Sequence, residues 1–246
     1  NKPMLLVFNS CEEGFGNLKG VRQIMGDFSG RVAELISFDL EFTAMVNRAV
    51  GSERWLVRAE TCGGHSYSAF GNPNAIACLS KLICKLFGQP LPQVPDTRTT
   101  YNVGTIQGGT SVNTIAQNAE MLYEFRSDER EGLAFMQAQF DAIVEEFRAS
   151  GVKIEIEVVG DRPCGLDVDN SALTHRAARA VEAHYGVSPA LTSGSTDCNV
   201  PLSMGIPAIC PGCVLGAGAH TREEYVELGS LLPGLKVAFE LVLHHF

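Results

Sequence analysis

The sequence predicts an α/β domain divided in two along the chain, with an α+β domain inserted between its halves. Three observations predict it. The unbroken apolar run Met4-Leu5-Leu6-Val7-Phe8 has the pattern of a strand buried on both faces of a parallel sheet. Between Trp55 and Val159 the apolar spacing runs in the order β-α-β-β-α-β, the split βαβ of a ferredoxin-like domain with both helices on one face. From Ser171 onward helices and short strands alternate again. The boundaries that follow are 1–54 with 163–246 for the α/β domain, and 55–162 for the insert.

The elements follow in order. After the apolar run, Leu18 to Phe28 reads as a short amphipathic helix, and Val32 to Phe38 as a second strand ending in Asp39-Leu40-Glu41. Gly51-Ser52-Glu53-Arg54 marks a break. Trp55 to Thr61 alternates as a strand, and Asn72-Pro73 opens a helix through Phe87. Pro90, Pro92 and Pro95 make a loop. Strands are expected over Thr99–Ile106 and Asn118–Arg126, a long amphipathic helix over Asp128–Ala149, and a half-buried strand over Val152–Val159. In the last part, Ser171–Tyr185 is a helix capped by Asn170 or Ser171, Pro189–Thr192 and Ile206–Ile209 are short strands, and Ser193–Asp197 is a polar turn entering a short helix. The stretch from Tyr225 to the C-terminus closes the chain as a helix.

Composition narrows the function classes. With 45% hydrophobic and 19% charged residues the chain is globular rather than disordered. A net charge of -9, without any Lys/Arg cluster, argues against a nucleic-acid partner. No apolar run reaches a membrane span, and the start Asn-Lys-Pro-Met lacks the shape of a signal peptide. The eight cysteines are scattered, which fits free thiols in a reducing, cytoplasmic setting. Cys210-Pro-Gly-Cys213 is a single CxxC, too little for a zinc or redox site by itself.

Chemistry concentrates at the expected strand ends. In open α/β sheets ligands gather beyond the carboxyl ends of the strands. Glu12 and Glu13 follow the first strand and Asp39 the second. Adjacent carboxylates there can divide two jobs, one ligating a metal and the other handling a proton. His220, in the loop Gly216-Ala217-Gly218-Ala219-His220-Thr221, is a candidate metal ligand on the same edge. His65, in Gly63-Gly64-His65-Ser66, suits an oxyanion contact. The turn Gly108–Asn113 could hold a substrate carbonyl or carboxylate through its amides and Asn113, or serve only as a hairpin. Arg126 could clamp a substrate carboxylate or pair with a neighbouring acid.

Taken as an ordered set, these motifs resemble the di-zinc exopeptidases and deacylases that include aminoacylase, peptidase T, glutamate carboxypeptidase and acetylornithine deacetylase. The matching text is Cys11-Glu12-Glu13-Gly14, Ser37-Phe38-Asp39, Gly63-Gly64-His65-Ser66 with Asn74-Ala75-Ile76, and Gly108 to Ile115. It continues with Phe125-Arg126, Gly194-Ser195-Thr196-Asp197, and Ala219-His220-Thr221 with Glu224-Tyr225. The resemblance implies a zinc-exopeptidase-like α/β domain and an inserted ferredoxin-like domain that serves as lid and homodimerisation surface.

It further implies that Glu12 is the general base acting on a metal-activated water, and that Glu13 and His220 bind one zinc and Asp39 the other. Cobalt or manganese would suit the same ligands. His65 would reach a partner's active site to steady the oxyanion. Asn113, Arg126, Gly194 and Ser195 would position the substrate. The implied reaction is cleavage of peptide bonds of the aminopeptidase or dipeptidase type. N-acyl amino acid deacylation by the same machinery, and a catalytically incomplete dimerising module, are the alternatives.

Two departures qualify the resemblance. The family's His-x-Asp motif and its bridging aspartate should precede Glu12, so the chain is expected to lack about the first third of the family's length. With three of the usual five ligand residues, this stretch by itself is expected to bind metal poorly and to be inactive. Ala116 also stands where the family usually has proline after Asn-x-Ile.

Overall fold

The structure, a computed structural model, describes residues 3–243, apart from the side chain of Leu40. The chain folds as two compact units: Asn1–Val50 with Arg162–Phe246, and Gly51–Asp161.

In chain order, the first unit begins with α1 (Lys19–Asp27), β1 (Leu35–Ile36), β2 (Leu40–Glu41) and β3 (Ala44–Ala49). The second unit holds β4 (Gly51–Glu60), β5 (Gly64–His65), α2 (Ala75–Phe87), β6 (Thr99–Gly108), β7 (Thr114–Ile115), β8 (Asn118–Ser127), α3 (Arg130–Ala149) and β9 (Lys153–Arg162), whose last residue, Arg162, already belongs to the first unit. The chain then returns to the first unit through α4 (Ser171–Tyr185), β10 (Ala190–Gly194), α5 (Asn199–Ser203), β11 (Ala208–Val214), β12 (Gly216–Ala217), β13 (Tyr225–Val226) and α6 (Leu231–Leu243).

The sheet of the first unit has the order β1-β11-β3-β10, with β2 also paired to β11. The pairs β1/β11, β2/β11 and β3/β10 are parallel, but β3/β11 is antiparallel, so the sheet is mixed. Alternation along the strands sends neighbours to opposite faces. Met45 and Ile209 join the core formed with Leu173, Ala177 and Val181 of α4 and Val237 and Leu241 of α6. Val46, Ala208 and Cys210 face the other way, onto Cys198 and Leu202. The sheet therefore lies between helical layers, which is what makes the unit α/β.

Asn170 shows how the layers are tied. Its amide donates to the carbonyls of Asn47 and Ala208, each at 2.9 Å, and accepts from the Ala208 N–H at 3.0 Å. Spent on β3 and β11, it gives α4 no side-chain cap, and Asp169 instead accepts from the Ser171 N–H.

Three expectations in this unit are corrected. Met4–Phe8 forms no strand: it pairs with no strand among the described residues, and Phe8 is 93% exposed. An apolar run becomes a buried strand only when partners satisfy its backbone and cover both faces. The strand expected over Val32–Phe38 is reduced to β1, and its course resumes as β2 after an interruption at residues 37–39. The closing helix begins at Leu231 rather than Tyr225, because Tyr225–Val226 pairs with Gly216–Ala217 and a 3₁₀ turn at Leu228–Ser230 follows. Residues 244–246 lie outside the described residues.

The second unit has the order β6-β8-β4-β9 with α2 and α3 packed on it, the arrangement of a ferredoxin-like fold. Trp55, Val57 and Ala59 of β4 and Met121, Tyr123 and Phe125 of β8 point to the helices. Phe140 of α3 stacks on Tyr123 at 5.4 Å between centroids and lies 5.1 Å from Trp55. Asn74 caps α2, its side chain accepting from the Ala77 N–H at 3.2 Å. Gly51–Arg54, expected as a break, are the first residues of β4. Pairing of Gly51 through Arg54 with Ser127 through Glu124 overrides their turn chemistry.

Candidate active site

The expected site residues fall into two sets, one on each unit. Glu12, Glu13, Asp39, Gly194, Ser195 and His220 belong to the first, and His65, Asn113 and Arg126 to the second.

In the first unit, Glu12 and Glu13 sit on a loop folded back over the start of α1. Gly16 and Gly20 make this possible. A Cβ on Gly16 would lie 2.6 Å from the Cys11 carbonyl oxygen, and one on Gly20 would lie 1.8 Å from Asn9 Oδ1. Cys11, directly before the glutamates, has a φ of 61°, and His220 has one of 65°. Such left-handed residues cost about 1–3 kcal/mol each and gather where a site dictates the backbone.

Glu12 is half-buried and held by a buried cation. Arg162, 5% exposed, donates from Nη1 to Glu12 Oε1 at 3.0 Å and from Nη2 to the Glu12 carbonyl. The same Nη1 donates to Ser195 Oγ at 3.1 Å. Partial burial is the largest influence on the Glu12 carboxyl and pushes it up; Arg162 opposes this, while Glu13, Asp39 and Asp197 add to it.

Asp39 lies in the interruption between β1 and β2. Desolvation raises its carboxyl most, Glu13 and Asp197 raise it further, and His220 works against them. Asp197 follows the Gly194–Thr196 turn. Its Oδ2 accepts from Asn9 Nδ2 at 2.5 Å, and its Oδ1 is buried with no hydrogen-bond partner among the described residues. The turn is latched by Asn199, fully buried, which accepts from the Thr196 N–H and donates to the carbonyls of Val50 and Pro163. His220 sits in an exposed turn, with its N–H on Glu224 Oε2 at 3.1 Å.

Glu12, Glu13, Asp39, Asp197 and His220 thus act on one another electrostatically. Among the described residues no three such side chains are gathered closely enough to hold a metal ion as they stand. The donor chemistry nevertheless fits a divalent cation. Asp39, raised by burial and then by the charges of Glu13 and Asp197, the imidazole that opposes them, and an unsatisfied buried oxygen on Asp197 form a donor set that a cation would relieve.

In the second unit, the β5/β7 pair sets His65 opposite Thr114, next to Asn113. The Ser66 N–H donates to the Asn113 carbonyl at 2.9 Å. His65 Nδ1 accepts from the N–H groups of Tyr67 and Ser68 at 3.3 and 3.5 Å, leaving Nε2 as the ring position that carries the hydrogen. The Asn113 side chain accepts from Ser111 Oγ at 2.7 Å and is exposed. Arg126 stands elsewhere on this unit, on β8, joined through Nε and Nη2 to both oxygens of Glu124 at 3.0 and 3.1 Å.

Sequence reasoning missed Arg162 and Asn199. A lone arginine before proline at the end of an alternating strand carries no periodic signal; only the return of the chain to Glu12 reveals it.

Residues 1–244 match the family described as Peptidase family M20/M25/M40. The chain is 28% identical over 174 residues to the uncharacterized protein YqjE of Bacillus subtilis, covering 69% of this chain and 45% of that one. It superposes on aminopeptidase PepT from Bacillus cereus with a TM-score of 0.68 at 22% identity, covering 95% of this chain and 62% of that one. With a Staphylococcus aureus tripeptidase the TM-score is 0.70 at 21% identity, over 92% and 60% of the respective chains. The chain spans less than two thirds of the length of each of these three relatives. The match over nearly its whole length shows that this chain belongs to Peptidase family M20/M25/M40.

Proposed function

We propose that the native protein is a metal-dependent hydrolase of peptide bonds, of aminopeptidase or dipeptidase type, with Glu12 as the residue that moves the proton. The observation that carries this reading is the setting of Glu12. It is a half-buried carboxylate raised by its surroundings, fixed by Arg162, and neighboured by Glu13, Asp39 and Asp197. A general base must be both held in place and matched to its task. Membership of a peptidase family supports the same reaction class.

Glu13 and His220 would hold one divalent cation and Asp39 a second; cobalt or manganese would be accepted, and zinc suits these carboxylate and imidazole donors. When bound, the metal supplies Lewis acidity that polarises the scissile carbonyl and acidifies water. Glu12 takes the proton from the attacking water and returns it to the leaving amine. Ser195, which shares Arg162 with Glu12, and Gly194 would position the substrate. His65, with Nε2–H to donate, would steady the developing oxyanion, and Asn113 and Arg126 would orient substrate. The second unit would serve as lid and homodimerisation surface. No helix among the described residues is long and apolar enough to cross a membrane.

The test is hydrolysis of di- and tripeptides by the native protein, with and without a chelator, beside Glu12→Gln. Cleavage that needs both metal and Glu12 supports the reading. N-acyl amino acids tested in parallel decide between peptidase and deacylase.

A further inference from the structure

We propose that Arg162 is a positioning residue for this reaction, fixing Glu12 against the Gly194–Asp197 turn through a single buried guanidinium. The inference rests on the reading of Glu12 as the proton-moving residue. Arg162 is 5% exposed, and burying a guanidinium is costly unless charge and acceptors offset it. Among the described residues its hydrogen bonds go to two residues only: Glu12, through both a carboxylate oxygen and the main-chain carbonyl, and Ser195, through its hydroxyl. Its Nε lies buried without a partner.

The two-point hold on Glu12 is specific to a planar fork. One nitrogen takes the carboxylate and Ser195, and the other takes the carbonyl of the same residue. Side chain and backbone of Glu12 are therefore fixed together, on a loop that begins with the left-handed Cys11. A lysine could supply the charge but would reach fewer of these acceptors. Misplacing a catalytic group by about 1 Å can cost about a hundredfold in rate.

The test measures kcat, KM and Tm of the native protein and of Arg162→Met, Arg162→Lys and Glu12→Gln, on a peptide that the native protein cleaves. Arg162→Met is expected to lower kcat about a hundredfold with KM within about threefold, and Arg162→Lys to recover about tenfold of that loss. Native kcat in Arg162→Met, or a change confined to KM, overturns the inference while loss of activity in Glu12→Gln leaves the reading of the site standing. Retention of kcat in Glu12→Gln overturns both. If Arg162→Met does not fold, Arg162→Lys decides: an intermediate kcat at unchanged KM is expected, and full native kcat overturns the positioning role.

Discussion

Arg162 and Glu12 are joined twice, guanidinium to carboxylate at 3.0 Å and guanidinium to the carbonyl of the same residue. One hundred and fifty residues separate them in the chain. The contact binds the loop after the first apolar run to the point where the chain re-enters the first unit. It also gives a half-buried carboxylate a fixed position, while burial most, and then Glu13, Asp39 and Asp197, raise its proton affinity against the charge of Arg162.

From that setting, Glu12→Gln should abolish turnover while leaving the fold intact. The amide keeps the shape and can still accept from Arg162, but it cannot take a proton. The loss expected in kcat is about 10²–10⁴-fold, with Tm changed by several degrees at most as Arg162 loses the charge of its partner, and the native circular-dichroism spectrum kept.

How much of this could be read from the chain depends on the range of the interactions. The second unit was legible because its signals are local: Trp55, Val57 and Ala59 alternate, and Met136, Phe140 and Ile143 keep helical spacing. Met4–Phe8 misled because strand formation needs a pairing partner, which a run of apolar letters does not contain. The strand β3 was missed because Ala44–Ala49 has no clean alternation, carrying Asn47 and Arg48 among its apolar residues. Glu12, Glu13, Asp39 and His220 were recognised by their order along the chain. Arg162 and Asn199 act by closing distances of well over a hundred residues, which no local pattern records.

Glu124 makes stability depend on pH at the acid end. Burial pushes its carboxyl up, but the hydrogen bonds and charges of Arg126 and Arg54 outweigh burial and leave it lowered. A lowered carboxylate stabilises the fold above its unfolded pKa, and that contribution is lost as pH falls through the folded value. Glu124→Gln should therefore cost stability, by about 1 kcal/mol at most for so accessible a cluster, at pH 7 and little at pH 3. Urea unfolding at the two pH values checks it.

Glu53 should behave in the opposite sense. Burial, then Asp161 and Asp141, raise its carboxyl. A raised carboxylate favours the fold below its unfolded pKa and loses that contribution as pH rises through the folded value. Glu53→Gln should raise Tm at pH 7 and have little effect near pH 3, measured by thermal unfolding.

Phe140 is the central side chain of the second unit's core, fully buried between Trp55 and Tyr123. Phe140→Ala should destabilise that unit by about 3–5 kcal/mol, because cavity formation adds to the lost burial. Hydrogen exchange should show the loss across β4, β8 and α3. Unaltered exchange in these elements would contradict the packing described.

In the proposed function Glu13 and His220 hold one catalytic metal ion and Asp39 a second, beside the proton-moving Glu12. Metal content of the native protein, purified without chelator and assayed for peptide cleavage before and after metal removal, tests it most directly. About two divalent ions per protomer are expected, as in two-metal hydrolases, with activity lost on their removal and restored on their return. Peptide cleavage at full rate by metal-free native protein would contradict it.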